Sequence, residues 1–422
     1  RYLGLMAGRA AVHNHAGYSA VKLLLQQARL VRPGLVVDDN FLNEAVRICR
    51  LVQGMPLAIV LAAGWLELLS PAEIADEIAG SLDFLETEKR DIPDRQRSMR
   101  AVFDRSWERL SPAEQAVFMK LAVFRGDITR GAADAVANAN LRILRALVNK
   151  SFIVFKQRDR CELHELLRLF GEEMLVASGE EIAIRQRHSE HYLDFVGRCE
   201  AELHGPGQVD ALRSIRADFE NIRAGWDWAL AAKDHTIIGD VVEPLHLYFD
   251  MYGLYGSGIE FLDGTLDRLD LGSEGTSART AGRVTARLRF MQSITDDVAA
   301  TWADELATCR RIAAEADDRF EVGFCTAVVG ACTFMVMNDI RESHDQFARA
   351  LAIFEEVGNR FYQARALSWM ALGHRLLGNP VENERTFRQE LALTREIGDV
   401  AGSTSALYNL AEVAVIAGRY DA

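Results

Sequence analysis

The sequence predicts a mainly α protein made of three successive blocks, and three observations predict it. Apolar residues recur at helical spacing along nearly the whole chain. Midway, one β-branched and aromatic run with a polar turn interrupts them. Towards the end, residues repeat at a fixed interval, the mark of stacked units. Composition agrees, since 49% hydrophobic and 26% charged residues suit a globular chain. No apolar run reaches the ~18 residues a membrane helix needs. The longest, Leu57–Leu69, is broken by Gly64 and Glu67.

The first block covers residues 16–88 and reads as four short helices. Ser19–Leu30 carries Val21, Leu24, Leu25 and Ala28 on one face. A turn at Arg32-Pro33-Gly34 precedes a second amphipathic run, Phe41–Gln53. Gly54 suits the left-handed residue that closes a helix, and Pro56 suits the first turn of the next. Ser70-Pro71-Ala72-Glu73 is a capping box, with serine accepting from the backbone and glutamate reaching back.

In the second block, residues 89–178, Asp94–Leu110 is expected to be helical. Ser111-Pro112-Ala113-Glu114 opens a helix with Val117, Phe118 and Leu121, and Leu141–Asn149 forms another. Ser151–Phe155, the turn 157–160 and Cys161–Leu163 then give a hairpin, and Leu166–Leu175 closes the block. Three helices and a two-stranded wing make a winged helix.

From Glu180 onward no strand signal is present. Arg216–Leu230 reads as one helix, and Gly272–Ser277 as the most loop-like stretch. Phe347 recurs as Phe387, Leu351 as Leu391, Gly358 as Gly398 and Gly378 as Gly418, each 40 residues apart. Tyr408–Ala422 follows the small and large rhythm of a tetratricopeptide first helix and turn, so the last block is a tetratricopeptide-like α-solenoid. The period exceeds the ~34 residues of a standard unit, so longer helices or loops are expected. The chain opens on Arg1 without a leader and stops within a repeat, so both ends are expected to be cut.

Two motifs stand out: Gly54-Met55-Pro56-Leu57-Ala58 between helices, and Leu163-His164-Glu165-Leu166-Leu167 where a strand meets a helix. With Ile48–Ala63 around the first, they resemble the sensor elements of STAND-class signalling ATPases, which include NB-ARC proteins and many bacterial transcriptional activators. The resemblance is specific over 41–175, moderate over 205–232 and generic in the repeats. Arg216–Leu230 resembles a helix that bacterial members place after the winged helix. Glu165 departs mildly from the aspartate common in eukaryotic members.

The resemblance implies a division into the end of a nucleotide-binding domain (1–15), a helical domain (16–88), a winged helix (89–178), a helical linker (179–290) and repeats (291–422). It also implies that Gly54, Met55, Pro56 and His164 sense ADP or ATP, with magnesium in the complete protein. Pro56 would bring its ring against the nucleotide, and His164 would touch the β-phosphate of ADP and hold a closed state. An imidazole suits that task because it donates to phosphate and gains charge near neutral pH. A helix-helix turn at Pro56 and a histidine packed at a helix start are the bland alternatives.

The phosphate loop itself is missing, as no Gly-x-x-x-x-Gly-Lys-[Ser/Thr] and no Gly-Lys pair occurs. These residues alone are therefore expected neither to bind triphosphate tightly nor to catalyse. Leu35–Asp39 imitates a Walker B strand, but Asp38 and Asp39 fit better as helix caps. His188 and His191 could share a metal, yet lack further ligands and read as solvent-facing. There is no nucleophile-base pair, and Trp226, Trp228 and Trp302 read as packing residues.

The net charge of −13 and pI near 5.4 argue against nucleic-acid contact from these residues. Arg142, Arg145 and Lys150 make a thin footprint for the winged helix. The six cysteines form no Cys-x-x-Cys pair and should be reduced core residues, Cys325 and Cys332 sharing a helix face. The reading is thus a cytoplasmic regulatory portion of an ATP/ADP-switched transcriptional regulator, LuxR-like in output. Its repeats would sense a protein or small-molecule inducer, and it would self-oligomerise when active. The rival is a nucleotide-independent interaction scaffold.

Overall fold

A computed structural model describes residues 19–32, 34–35, 37–81, 84–86, 98–156, 159–269, 274–295 and 301–418. They belong to two compact units, Arg1–His188 and Ser189–Ala422. Among the described residues there are 21 α-helices and three short strands, which gives the mainly α class predicted. The expected end of a nucleotide-binding domain, 1–15, lies outside the described residues.

The first unit opens with α1 (Ser19–Val31), α2 (Asp39–Leu51), α3 (Pro56–Gly64) and α4 (Pro71–Gly80). Asp38 accepts from the Phe41 amide at 2.7 Å, so this acid caps α2 as expected. α3 is apolar on every side and is the buried member of the group, with Ala58, Ile59, Leu61, Ala62 and Ala63 all in the core. α1 packs on α3, and α2 on α4. The Ser70 box forms, with the Ser70 amide donating to Glu73 at 2.8 Å and the Glu73 amide to Ser70 Oγ at 3.3 Å.

α5 (Met99–Trp107) is shorter than the helix predicted over Asp94–Leu110; positions 94–97 lie outside the described residues. After α6 (Pro112–Leu121), the chain forms β1 (Asp127–Thr129) and α7 (Arg130–Ala137), neither predicted. Then come α8 (Leu141–Asn149), β2 (Ile153–Phe155), β3 (Arg160–Leu163) and α9 (Glu165–Ser178). The wing is therefore three-stranded, antiparallel throughout, in the order β1-β3-β2. A strand of three residues has no room to show period two, which is why β1 was illegible. Lys156 ties the sheet across its width, 2.9 Å from Asp127 and 2.8 Å from Glu162.

The second unit begins within α10 (Glu181–Leu203). The helix expected over Arg216–Leu230 is two, α11 (Gln208–Ala217) and α12 (Phe219–Ala231), because Asp218 at φ −113°, ψ 12° leaves helical geometry. α13 (His235–Met251), α14 (Tyr255–Leu266) and α15 (Gly275–Thr295) follow. The predicted loop 272–277 is corrected, since Gly275 already opens α15; Gly272 and Ser273 lie outside the described residues.

The solenoid continues through α16 (Trp302–Glu315), α17 (Arg319–Met335), α18 (Ile340–Glu356), α19 (Arg360–Leu376), α20 (Pro380–Ile397) and α21 (Val400–Ile416), with α17 packed most closely on α18 and α19 on α20. The 40-residue interval is structural, since Gly358 and Gly398 end equivalent helices at φ +71° and +76°. Asn359 and Asp399 cap the helices that follow them. Tyr408 lies midway along α21, which stands 40 residues after α19 and takes the same first-helix place in the repeat; 419–422 lie outside the described residues. All six cysteines are free and buried. Among the described residues, no helix is long and apolar enough to cross a membrane.

Candidate functional site

The Gly54 junction is built by two successive left-handed residues, Gln53 at φ +43° and Gly54 at φ +73°. They reverse the chain so that the Gly54 amide donates to Cys49 O and the Met55 amide to Val52 O, both at 2.9 Å. A Cβ at Gly54 would meet only Ala20 Cβ, at 3.7 Å, so backbone conformation rather than space calls for glycine. Met55 is extended (φ −60°, ψ 117°), as the residue before a proline prefers, and Pro56 opens α3. Met55 is half-buried and Pro56 is exposed.

His164 caps α9. Its Nδ1 accepts from the Leu166 amide at 3.2 Å, which requires the proton of the neutral ring to sit on Nε2. Nε2 is buried and makes no hydrogen bond of good geometry, the Val52 backbone being a weak acceptor. Burial lowers the His164 pKa, while the Val52 backbone, then Glu165 and Glu162, oppose the shift without cancelling it. The expected gain of charge near neutral pH is thereby corrected: the folded ring stays neutral and presents a single N–H.

The Val52 contact is the unforeseen feature. Val52 is fully buried and lies two residues before Gly54, so the ring of the second motif sits beside the backbone that enters the first. Sequence reasoning passed over Val52 because it reads as an ordinary core residue closing a helix. Glu165 is committed elsewhere, since Arg168 grips both its oxygens, at 2.5 and 2.9 Å. Burial would raise the Glu165 pKa, but the Arg168 guanidinium overrides it and holds the carboxyl below its usual range. Arg168 also reaches Glu172 at 2.5 Å, and Arg125 reaches the same carboxylate at 2.8 Å. This lattice fixes the first turns of α9 and hence the aim of His164.

A buried N–H with only a weak backbone acceptor fits an anionic oxygen such as one of a phosphate. The exposed Pro56 ring offers an apolar contact nearby in sequence to Val52. Other candidates recede. His188 is only 3% exposed and meets Phe124 edge-to-face at 5.0 Å, and His191 is half-buried, which corrects their reading as solvent-facing. No group of three His, Cys, Asp or Glu among the described residues could hold a metal ion. On α8, Arg142 and Arg145 are exposed, while Lys150 is tied to Glu114 at 2.7 Å.

No protein-family model matches the chain. It is 26% identical over 404 residues to Putative HTH-type transcriptional regulator Rv0890c of Mycobacterium tuberculosis, covering 91% of this chain and 44% of that protein. The same figures hold for Putative HTH-type transcriptional regulator Mb0914c of Mycobacterium bovis. Uncharacterized protein Rv0894 of M. tuberculosis is 30% identical over 183 residues, 41% of this chain and 47% of that protein. The chain thus spans less than half the length of these curated relatives. Among solved structures, a STAND protein with a tetratricopeptide repeat sensor, PH0952 from Pyrococcus horikoshii, superposes loosely, with a TM-score of 0.45 and 15% identity over 95% of this chain and 57% of that one.

Proposed function

We propose that this chain is the lever and sensor portion of an ATP/ADP-switched transcriptional regulator of the STAND kind. The observation that carries the reading is the buried Nε2–H of His164, which has only the Val52 backbone as a weak acceptor, at the entrance to Gly54-Met55-Pro56. Its likeness to regulators along 91% of the chain supports a regulatory role. ADP bound by upstream residues would accept from His164 and touch Pro56, holding helical domain and winged helix in one closed arrangement. An inducer on the repeats would favour the other arrangement, in which copies associate and the output acts. Such coupling needs nucleotide and inducer to prefer different states of one bistable element.

One observation favours the nucleotide-independent scaffold instead: capping α9 through Nδ1 gives His164 a structural role without any ligand. The test is to purify the protein from its natural host, measure its intact mass and terminal sequence, and assay nucleotide released by acid. A glycine-rich lysine loop ahead of Arg1 with ~1 ADP per chain supports the switch. A chain without that loop and without nucleotide overturns it and leaves the scaffold.

A further inference from the structure

The 40-residue repeat contains its own control for a cavity in the second unit. Where α18 and α19 carry Ala350, Phe354, Phe361, Tyr362 and Arg365, α20 and α21 carry Glu390, Thr394, Ala401, Gly402 and Ser405. Phe354, Phe361 and Tyr362 are buried and pack against one another. Their shrunken counterparts leave a cavity of about 330 Å³. The same exchange replaces a buried alanine with a carboxylate.

Glu390 is 3% exposed, lines that cavity, and meets the Ser368 hydroxyl; its Oε2 has no hydrogen-bond partner. The one cation on the wall, Arg365, is already paired with Asp250, which also accepts from Tyr255 at 3.0 Å. Asp399 adds a third carboxylate, bonded to the Gly402 amide at 2.9 Å and to Gln208 at 3.1 Å. Three carboxyl groups line the wall against one guanidinium, which Asp250 already pairs. Phe361 and Trp369 supply aromatic surface.

We propose that this cavity binds a small organic cation, an amine whose ammonium donates to Glu390 Oε2 and whose flat apolar body lies against Phe361 and Trp369. This deepens the sensor role given to the repeats and rests on that reading for its regulatory meaning. An aromatic wall and a desolvated carboxylate are the two elements that select ammonium ligands. Burial pushes the Glu390 pKa up to about 8, with Ser368 and Arg365 lowering it and Asp399 raising it. The free carboxyl is therefore mostly protonated at pH 7, and an arriving cation ionises it. Binding then releases up to ~1 proton per site.

The probe is phenethylammonium, titrated calorimetrically into the full chain at pH 7 in two buffers of different ionisation heat, with 2-phenylethanol as the neutral control. Saturable binding is expected, with proton release and at least tenfold weaker binding of the alcohol. Glu390→Gln should weaken the amine at least tenfold and abolish proton release. Ser405→Trp, at an exposed lining position, should block binding with helical content unchanged. No saturable amine binding by the folded chain overturns the proposal, as does equal affinity in Glu390→Gln or Ser405→Trp. ADP retention is scored separately: its absence with amine binding intact sinks the switch and not the pocket.

Discussion

In the first unit, buried charge is shared among partly wetted groups, whereas in the second it is concentrated on one dry guanidinium. Around α9, Arg168, Arg125 and Arg185 converge on Glu172, while Arg185 also holds Glu181 at 2.9 Å. Within the solenoid, Arg287 has no exposure at all. It donates to Glu243 at 2.9 Å and to both oxygens of Glu321, at 2.6 and 2.8 Å, with Phe324 4.3 Å beneath it. Tyr362 adds a bond to Glu243 from 119 residues further along the chain. The wetted lattice has spare cations, so losing one leaves its carboxylates served by others and by water. The dry triad has only Arg283 at its edge, 3.7 Å from Glu321. The difference teaches where ligands can act: a satisfied buried triad is finished structure, while Glu390, a buried carboxyl without a cation, and His164, a buried donor with only a weak backbone acceptor, are unfinished.

Breaking the triad should produce the largest effect. Arg287→Met leaves buried Glu243 without its cation and Glu321 with only Arg283, and should cost ~3–5 kcal/mol in denaturant unfolding followed by circular dichroism. Arg125→Met should cost no more than ~1 kcal/mol. Equal losses would show that the two networks do not differ as described.

Acid sharpens the same contrast. Burial lowers the His246 pKa to about 4, and Glu243 and Asp250 are held below the usual carboxylate range by Arg287 and Arg365 once their own burial is overcome. All three shifts are downward, so the stability they confer is present above the unfolded pKa values and drains away as pH falls. For His246 the window runs from about 6.5 down to about 4, with a loss of roughly 3 kcal/mol. Glu390 runs the opposite way, because its raised pKa costs stability as pH climbs through about 8. Glu390→Gln should therefore flatten the fall in stability between about pH 4.5 and 8 measured by thermal unfolding, and an unchanged profile would count against its burial as a lone carboxyl.

Packing gives a middle-sized effect. At Gly171 on α9 an added Cβ would lie 2.9 Å from Ala122 Cβ and 3.3 Å from the Phe118 ring. Gly171→Ala should cost ~1–3 kcal/mol, read as a lower unfolding midpoint. The smallest effect is at the surface, where Ser70→Ala removes the cap of α4 for ~1 kcal/mol.

Much of this was legible because the signals were local. Ser70, Ser111 and Asp38 announce helix starts through their own side chains, and the glycines at 40-residue spacing announce helix ends through backbone conformation alone. β1 was illegible because Asp127-Ile128-Thr129 becomes a strand only by pairing with β3, some 30 residues on. The break at Asp218 was masked by strong helix formers on both sides. His164 could be singled out by its motif, but not its tautomer, since that depends on the Leu166 amide and on burial beside Val52. The pocket was hidden for a different reason. Repeat similarities drew the eye, while the cavity lies in the differences, Phe354 to Thr394 and Tyr362 to Gly402.

The most direct test of the central claim is the rate of ADP release from the complete protein carrying His164→Asn beside His164→Ala. Asparagine is a good helix cap, so it can keep the cap on α9 while losing the ring's distal N–H. Loss of a hydrogen bond to a charged oxygen should speed release by roughly 10- to 100-fold in both variants. ADP leaving the asparagine variant at the native rate would contradict the account, because His164 would then be a cap and nothing more.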